Sequence, residues 1–286
     1  MAYRSSPRPN FTAPTAIPYR DVTRYLWGDD DSGRVNDWIY ASSGKIHQLV
    51  FGFPAGGGFR HSESFRTVFG ADEVLIVLQG RMVLANPETG EVRIVETGQS
   101  VVFGKDTWHN AFALPGEELR VLEYFAPPPS TGTSGKYAAT KPYVATPRFA
   151  RDEYLGRWPI ARTEAETASH FTVLDKQDRL WSMSSGDPRA LTGIISSTPQ
   201  LTAAEMLLAP GGRTAALRHK GDAVLYVGEG RLNLMLPQIE SGPDWFELSV
   251  GDGFFVPEGS VYQLYNMGTD PVQAFVGVAP DFGAGG

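Results

Sequence analysis

Three observations predict an all-β chain built from two antiparallel sandwiches or barrels. Apolar runs of strand length recur along the 286 residues, glycines punctuate them at turn positions, and one pattern occurs twice. The first copy runs from Pro54 (P-A-G-G-G-F-R-H-S-E), through Asp72 (D-E-V-L-I-V-L-Q-G), to Gly98 (G-Q-S-V-V-F-G-K-D-T-W-H-N). The second runs from Pro210 (P-G-G-R-T-A-A-L-R-H), through Asp222 (D-A-V-L-Y-V-G-E-G), to Gly251 (G-D-G-F-F-V-P-E-G-S-V-Y). Overlaying them places His61 on Leu217, Glu63 on His219, Glu73 on Ala223 and His109 on Tyr262. One copy keeps four potential metal ligands where the other keeps one.

Residues 1–20 are rich in Ser, Pro and Thr and read as an arm without a core of its own. Strand patterns begin at I-H-Q-L-V-F-G-F from Ile46 and continue at V-L-I-V-L from Val74, M-V-L-A from Met82, V-R-I-V from Val92 and S-V-V-F from Ser100. The stretch N-P-E-T-G from Asn86 is a turn joining two antiparallel strands. L-R-V-L-E-Y-F from Leu119 closes the first unit. P-P-P-S-T-G-T-S-G, from Pro127 to Gly135, breaks every regular pattern and marks a boundary. We therefore expect one domain over 1–147, including arm and linker, and a second over 148–286. The second repeats the plan at A-A-E-M-L-L-A from Ala203, V-L-Y-V from Val224, L-N-L-M-L from Leu232, G-F-F-V from Gly253, Y-Q-L-Y-N from Tyr262 and V-Q-A-F-V-G-V from Val272. Helical patterning is confined to the region of Arg162, and no βαβ spacing occurs.

Composition excludes several classes. A net charge of -7 without a basic cluster argues against nucleic-acid and anionic-membrane partners. The chain has 0 cysteines, so disulfides, thiolate metal sites and cysteine nucleophiles are impossible. No apolar run reaches the length of a membrane span, and the first residues lack a signal core, so a cytoplasmic protein is expected. Phosphate-loop, dinucleotide and nucleophile-elbow motifs are absent.

The doubled motifs resemble those of the cupin superfamily, and the duplication resembles a bicupin. The family's first motif is a glycine-led stretch with H-x-H, then a glutamate, six residues and a glycine; Glu73 and Gly80 fit that spacing. Judged from the second copy, His61 and Glu63 stand where the two histidines belong, with about six extra residues between Glu63 and Glu73. The second motif matches Gly98 through His109, with Gly104 at its proline, Asp106 at its glycine and Asn110 early. In the second copy Gly251, Pro257, Gly259 and Asn266 fit, and Tyr262 replaces the histidine. The resemblance implies two double-stranded β-helix jelly rolls. It does not choose an activity, because cupins include dioxygenases, decarboxylases, isomerases, lyases, storage proteins and transcription factors.

Residues i and i+2 of a strand share a face, so His61 and Glu63 can both look into a cavity, with Glu73 and His109 supplied by two further strands. The expected site is one divalent transition metal per chain, held by His61, Glu63, Glu73 and His109. Fe(II) is favoured, and Mn, Zn, Ni and Co suit the same donors. The bland alternative is a polar cluster in which Arg60 or Arg66 pairs Glu73. Glu63 is either a ligand or, freed from the metal, a catalytic base. Arg60 and Arg66 are the nearest groups for holding a substrate carboxylate or enolate. Phe59, Phe65, Phe69, Trp108 and Phe112 supply an apolar wall, and loop 64–71 lies at the cavity mouth. His47 fits a core position as well as a site wall, whereas His170 and His219 lie outside any ligand set. Three functions follow in order: an Fe(II)-type dioxygenase of a small aromatic or enolic acid, a redox-neutral isomerase, lyase or decarboxylase, and a non-catalytic binding or storage role. A homodimer is expected, because the arm and exposed sheet edges need cover.

Overall fold

In the segment D-E-V-L-I-V-L-Q no solvent-facing parity is visible, because this strand is buried on both faces. Glu73, Leu75 and Val77 point into the core of the first half, and Val74 and Ile76 point into a second core shared with the other half. The computed structural model describes residues 6–128, 134–184 and 186–283. Part of the proline-rich boundary, residues 129–133, lies outside the described residues.

The first half contains β1 (Thr15–Ile17), β2 (Thr23–Asp29), β3 (Gly33–Ser42), β4 (His47–Phe53), β5 (Asp72–Gln79), β6 (Arg81–Asn86), β7 (Glu91–Glu96), β8 (Ser100–Phe103), β9 (Asn110–Ala113) and β10 (Leu119–Ala126). Helices α1 (Ser134–Ala138) and α2 (Arg162–Thr167) follow. The second half contains β11 (Thr172–Leu174), β12 (Leu180–Ser184), β13 (Asp187–Ser197), β14 (Thr202–Leu208), β15 (Asp222–Glu229), β16 (Leu232–Met235), β17 (Trp245–Leu248), β18 (Gly253–Val256), β19 (Gln263–Tyr265) and β20 (Val272–Ala279).

All these strands pair antiparallel in four sheets. Two have seven strands, ordered β11-β8-β5-β10-β4-β3-β2 and β1-β18-β15-β20-β14-β13-β12, and two have three, β7-β6-β9 and β17-β16-β19. The all-β, jelly-roll-like expectation holds. Among the described residues, however, hydrogen bonds divide each half between a large and a small sheet and close no barrel.

The two large sheets face each other across the shared core, where Ile76, Leu122 and Tyr124 meet Val224, Phe255 and Phe275. The halves also exchange edge strands. β1, from the arm, pairs with β18, placing Thr15 opposite Phe255, and β11 pairs with β8, placing Thr172 opposite Val102. The arm is thus built into the far sheet rather than detached.

The glycine corners have steric reasons. Gly80 and Gly230 occupy equivalent turns after β5 and β15 with φ of 76° and 74°, a left-handed conformation that other L residues rarely adopt. No helix among the described residues is long and apolar enough to cross a membrane.

Candidate metal centre

Cross-strand register assembles the polar cluster inside the first half. His47 on β4 is level with Phe125 on β10, which is level with Glu73 on β5. One inward step along the strands, Leu49, Glu123 and Leu75 are level. Asp37 on β3 lies opposite Phe51, a further step along. His109 enters from the small sheet, immediately before β9. Glu73, His109 and Glu123 bring one ligand atom each to within 4.8 Å of one another, and all three are buried. Among the described residues this is the one such grouping of three.

The histidine is oriented for the task. Nδ1 of His109 lies 3.2 Å from the Thr107 carbonyl, a contact that uses Nδ1 as the donor. The Nε2 lone pair is left facing Glu73 Oε2 at 3.7 Å. Burial pushes the His109 pKa down to about 4, partly opposed by the Thr107 contact. Glu73 is 1% exposed, and neither of its carboxylate oxygens has a hydrogen-bond partner. Desolvation raises its pKa well above the ordinary value, with the charges of Glu123 and Asp72 adding to the effect. Desolvation likewise raises Glu123, helped by the charge of Asp37, and raises Asp37 by itself. A buried carboxylate without a partner costs several kcal/mol. A divalent cation between Glu73, Glu123 and His109 removes that cost, so the donor set fits a metal.

Of the four residues expected to converge, only Glu73 and His109 do so. His61 Nε2 lies 2.8 Å from Thr67 Oγ1, and that hydroxyl donates to the His109 carbonyl, so the His61 ring nitrogen must itself donate. This leaves no lone pair at Nε2 for a metal. The ring stacks edge-on against Trp108 at 4.7 Å, and burial drives its pKa down to about 3. Glu63 is exposed.

The cause is the register of the inserted loop. In the second half Leu217 and Tyr262 exchange backbone hydrogen bonds, and in the first half the backbone N–H of His109 donates to Thr67. Thr67 and Leu217 each lie five residues before the aspartate that opens the following strand. Thr67 therefore takes the place of Leu217, and Phe69 that of His219. The extra residues precede the H-x-H position instead of following it, and that position reads Thr67-Val68-Phe69.

The arginines also lie elsewhere. Arg60 is exposed. Arg66 donates to the Ala138 and Lys141 carbonyls and lies over the Tyr143 ring at 4.9 Å. Phe59 and Phe69 line the cavity as expected. Trp108, by contrast, belongs to a small outer cluster with Val68 and Ala138, and Phe65 packs edge-on against Trp27 at 5.2 Å.

Sequence reasoning missed Glu123 and Asp37 and left His47 undecided; all three line the cavity. The available signal was an acid inside an apolar strand, Glu123 within V-L-E-Y-F and Asp37 within V-N-D-W-I-Y. In the second half His219 spends both ring nitrogens, on the Tyr262 hydroxyl and the Phe282 carbonyl, each at 2.9 Å.

The shifted groups set a pH dependence for metal-free protein. Glu73, Glu123 and Asp37 stay protonated above their ordinary range, so their stabilising contribution is complete at low pH and is lost as pH rises. His47, His61 and His109, held down to about 3, 3 and 4 from an ordinary 6.5, cost stability only below that value. Above it the carboxyls act alone. The urea midpoint of chelator-treated protein should therefore fall between about pH 6.5 and about pH 8.5. A flat or rising midpoint would contradict buried, protonated acids.

The cupin-domain family model matches residues 204–278. That segment, β14 through most of β20, is similar to a cupin domain. Solved structures extend the likeness in fold to both halves. A putative glyoxylate-induced protein from Pseudomonas aeruginosa shares 16% identity, with 98% of this chain and 94% of that one covered and a TM-score of 0.63. A variant of the oxalate decarboxylase of Bacillus subtilis shares 14%, covering 97% and 80%, with a TM-score of 0.61. A formate complex of the oxalate decarboxylase of Lactobacillus farciminis shares 14%, covering 96% and 87%, with a TM-score of 0.61. No curated protein matches the sequence. The resemblance to cupins read from the doubled motifs is borne out, and at these identities the structures speak for the fold alone.

Proposed function

We propose that this cupin is a metal-dependent enzyme whose first half binds one divalent ion through Glu73, His109 and Glu123 and converts a small aromatic or enolic acid. The observation that carries the reading is the Glu73 carboxylate, buried with both oxygens unpaired and facing an imidazole nitrogen and a second carboxylate. Two carboxylates and one imidazole balance a dipositive charge and suit Mn(II) or Fe(II). When bound, such an ion supplies Lewis-acid polarisation of a substrate oxygen.

The reaction we favour is redox-neutral, a decarboxylation, lyase or isomerase step. Asp37 supports this choice, because it lines the cavity, lies outside the ligand group and is held protonated by burial. It can deliver a proton to a substrate carbon or oxygen, and the neutral ring of His47 lies in the same cavity. A second reading, an Fe(II) oxygenase, draws on the apolar lining around Trp27, Phe59 and Phe69. The notion of two cupin units meeting between 127 and 147, assembled as a homodimer, completes the proposal; the exposed Leu155, Trp158 and Ile160 favour the dimer.

Turnover of a small panel of enolic and β-keto acids, followed by NMR under nitrogen with Mn(II)-loaded protein, tests the choice. Persistence without oxygen is expected, and strict dependence on oxygen uptake would replace the favoured reaction with the oxygenase. Asp37→Asn should lower kcat by about 10²-fold or more while metal content is unchanged.

A further inference from the structure

We propose that His47 is the substrate-selecting residue of this cavity. Its Nδ1 holds a neutral oxygen of the substrate, so the site prefers short acyclic oxo or hydroxy acids to acids without that second oxygen. This rests on the preceding proposal that the cavity beside the metal group is a substrate site.

His47 opens β4 and lines the cavity, where it is 5% exposed. Its Nδ1 has no hydrogen-bond partner. Phe125 packs against the ring at 5.6 Å, which restrains the ring but supplies no hydrogen bond. His219 shows what a histidine of the same burial does when its role is structural. It is also 5% exposed, and both its ring nitrogens are bonded, to Tyr262 and to Phe282. A buried nitrogen left unpaired costs free energy that an incoming oxygen recovers.

Register sets this ring beside the metal group. His47 is level with Phe125, and Glu123 lies two residues before Phe125 on the same strand. His47 and Glu123 are therefore diagonal neighbours on adjacent strands, roughly 7–8 Å apart and within reach of a short bridging molecule. Glu73 is level with Phe125 on its other side. His47 itself lies outside the group of three possible ligands.

Charge decides which end of an acid each side takes. Burial, with the charge of Arg8 adding to it, pushes the His47 pKa down to about 3, so the ring is neutral at ordinary pH. A neutral imidazole has one donor and one acceptor nitrogen and suits a hydroxyl or carbonyl. It supplies no charge to balance a carboxylate. The acid group therefore belongs toward Glu73, His109 and Glu123 and the ion they hold, and the neutral oxygen toward His47.

Volume limits the length. The cavity holds about 100 Å³, whereas a cavity that takes up benzene measures roughly 150 Å³. An acyclic acid of about three carbons is the scale, which selects the enolic members of the proposed substrate class over the aromatic ones.

Calorimetric titration of full-length, Mn(II)-loaded protein with pyruvate and propionate tests this, since the two acids differ at the 2-oxo oxygen. His47→Leu and His47→Phe both lack a ring nitrogen, and His47→Asn places an amide near the position of Nδ1. The preference for pyruvate over propionate should fall about tenfold in His47→Leu and His47→Phe and be largely kept in His47→Asn, with propionate affinity and metal content unchanged in all three. An unchanged preference in the nitrogen-free variants, an equal loss in His47→Asn, or parallel weakening of both acids would each overturn the proposal. So would the absence of heat from pyruvate in the parent protein. Repeating the titration on chelator-treated protein separates the two readings. A His47-dependent preference that persists without metal sinks the metal site alone, and metal-loaded protein without a His47 effect sinks this proposal alone.

Discussion

Protein purified without chelator should carry about one equivalent of divalent metal per chain, and Glu73→Gln, Glu123→Gln and His109→Ala should each remove most of it. Each change deletes one of three donors. Losing an outer-shell partner costs roughly 10–100-fold in affinity, so losing a direct ligand should exceed that. Glu63→Gln should leave the content at the parent level, because Glu63 is exposed and outside the group. His219→Ala should do the same, since both ring nitrogens of His219 are spent on Tyr262 and Phe282. His61→Ala is the sharper control. A four-ligand site including His61 requires loss of metal on changing it, whereas a nitrogen committed to Thr67 allows metal to be retained. Two equivalents per chain, or retention in Glu123→Gln, would show that the centre is wrongly placed.

Tyr124→Ala should be the most destabilising single change outside the site, at about 3–5 kcal/mol. Tyr124 is 0% exposed and lies in the core shared by the two seven-stranded sheets. Its ring covers Gly277 so closely that a Cβ there would overlap it. Its hydroxyl accepts from Gln48 Nε2 at 3.3 Å and donates to the Val224 carbonyl at 3.4 Å, linking the halves. Removal leaves a cavity and strands the buried Gln48 amide. Gly277→Ala approaches the same contact from the other side, by overpacking, and should cost about 1–3 kcal/mol. Urea unfolding measures both. A loss under about 1 kcal/mol for Tyr124→Ala would mean that the sheets do not depend on this contact.

The residues that were legible in the sequence share a local signature. Glu73 and His109 follow or precede strand patterns at family spacing, and the structure brings them together. Glu123 was harder to read because β10 is buried on both faces, which erases the alternation that would assign its direction. Nearness in sequence places Arg60 and Arg66 at the cavity, but the loop that carries them turns outward, one to solvent and the other to α1 and the residues after it.

By itself the sequence determined the all-β class, the duplication, the cupin resemblance and which half retains acids and a histidine. Short-range physics suffices for these, since strand periodicity, glycine turns and motif spacing are properties of neighbouring residues. Tertiary structure alone decided that Thr67 and Phe69 occupy the H-x-H position, that Glu123 completes the group and that Arg8 reaches the cavity. Each of those depends on hydrogen-bond register between strands or segments tens of residues apart. A shift of one residue in such a register reverses every side chain, and nothing local to either segment records it.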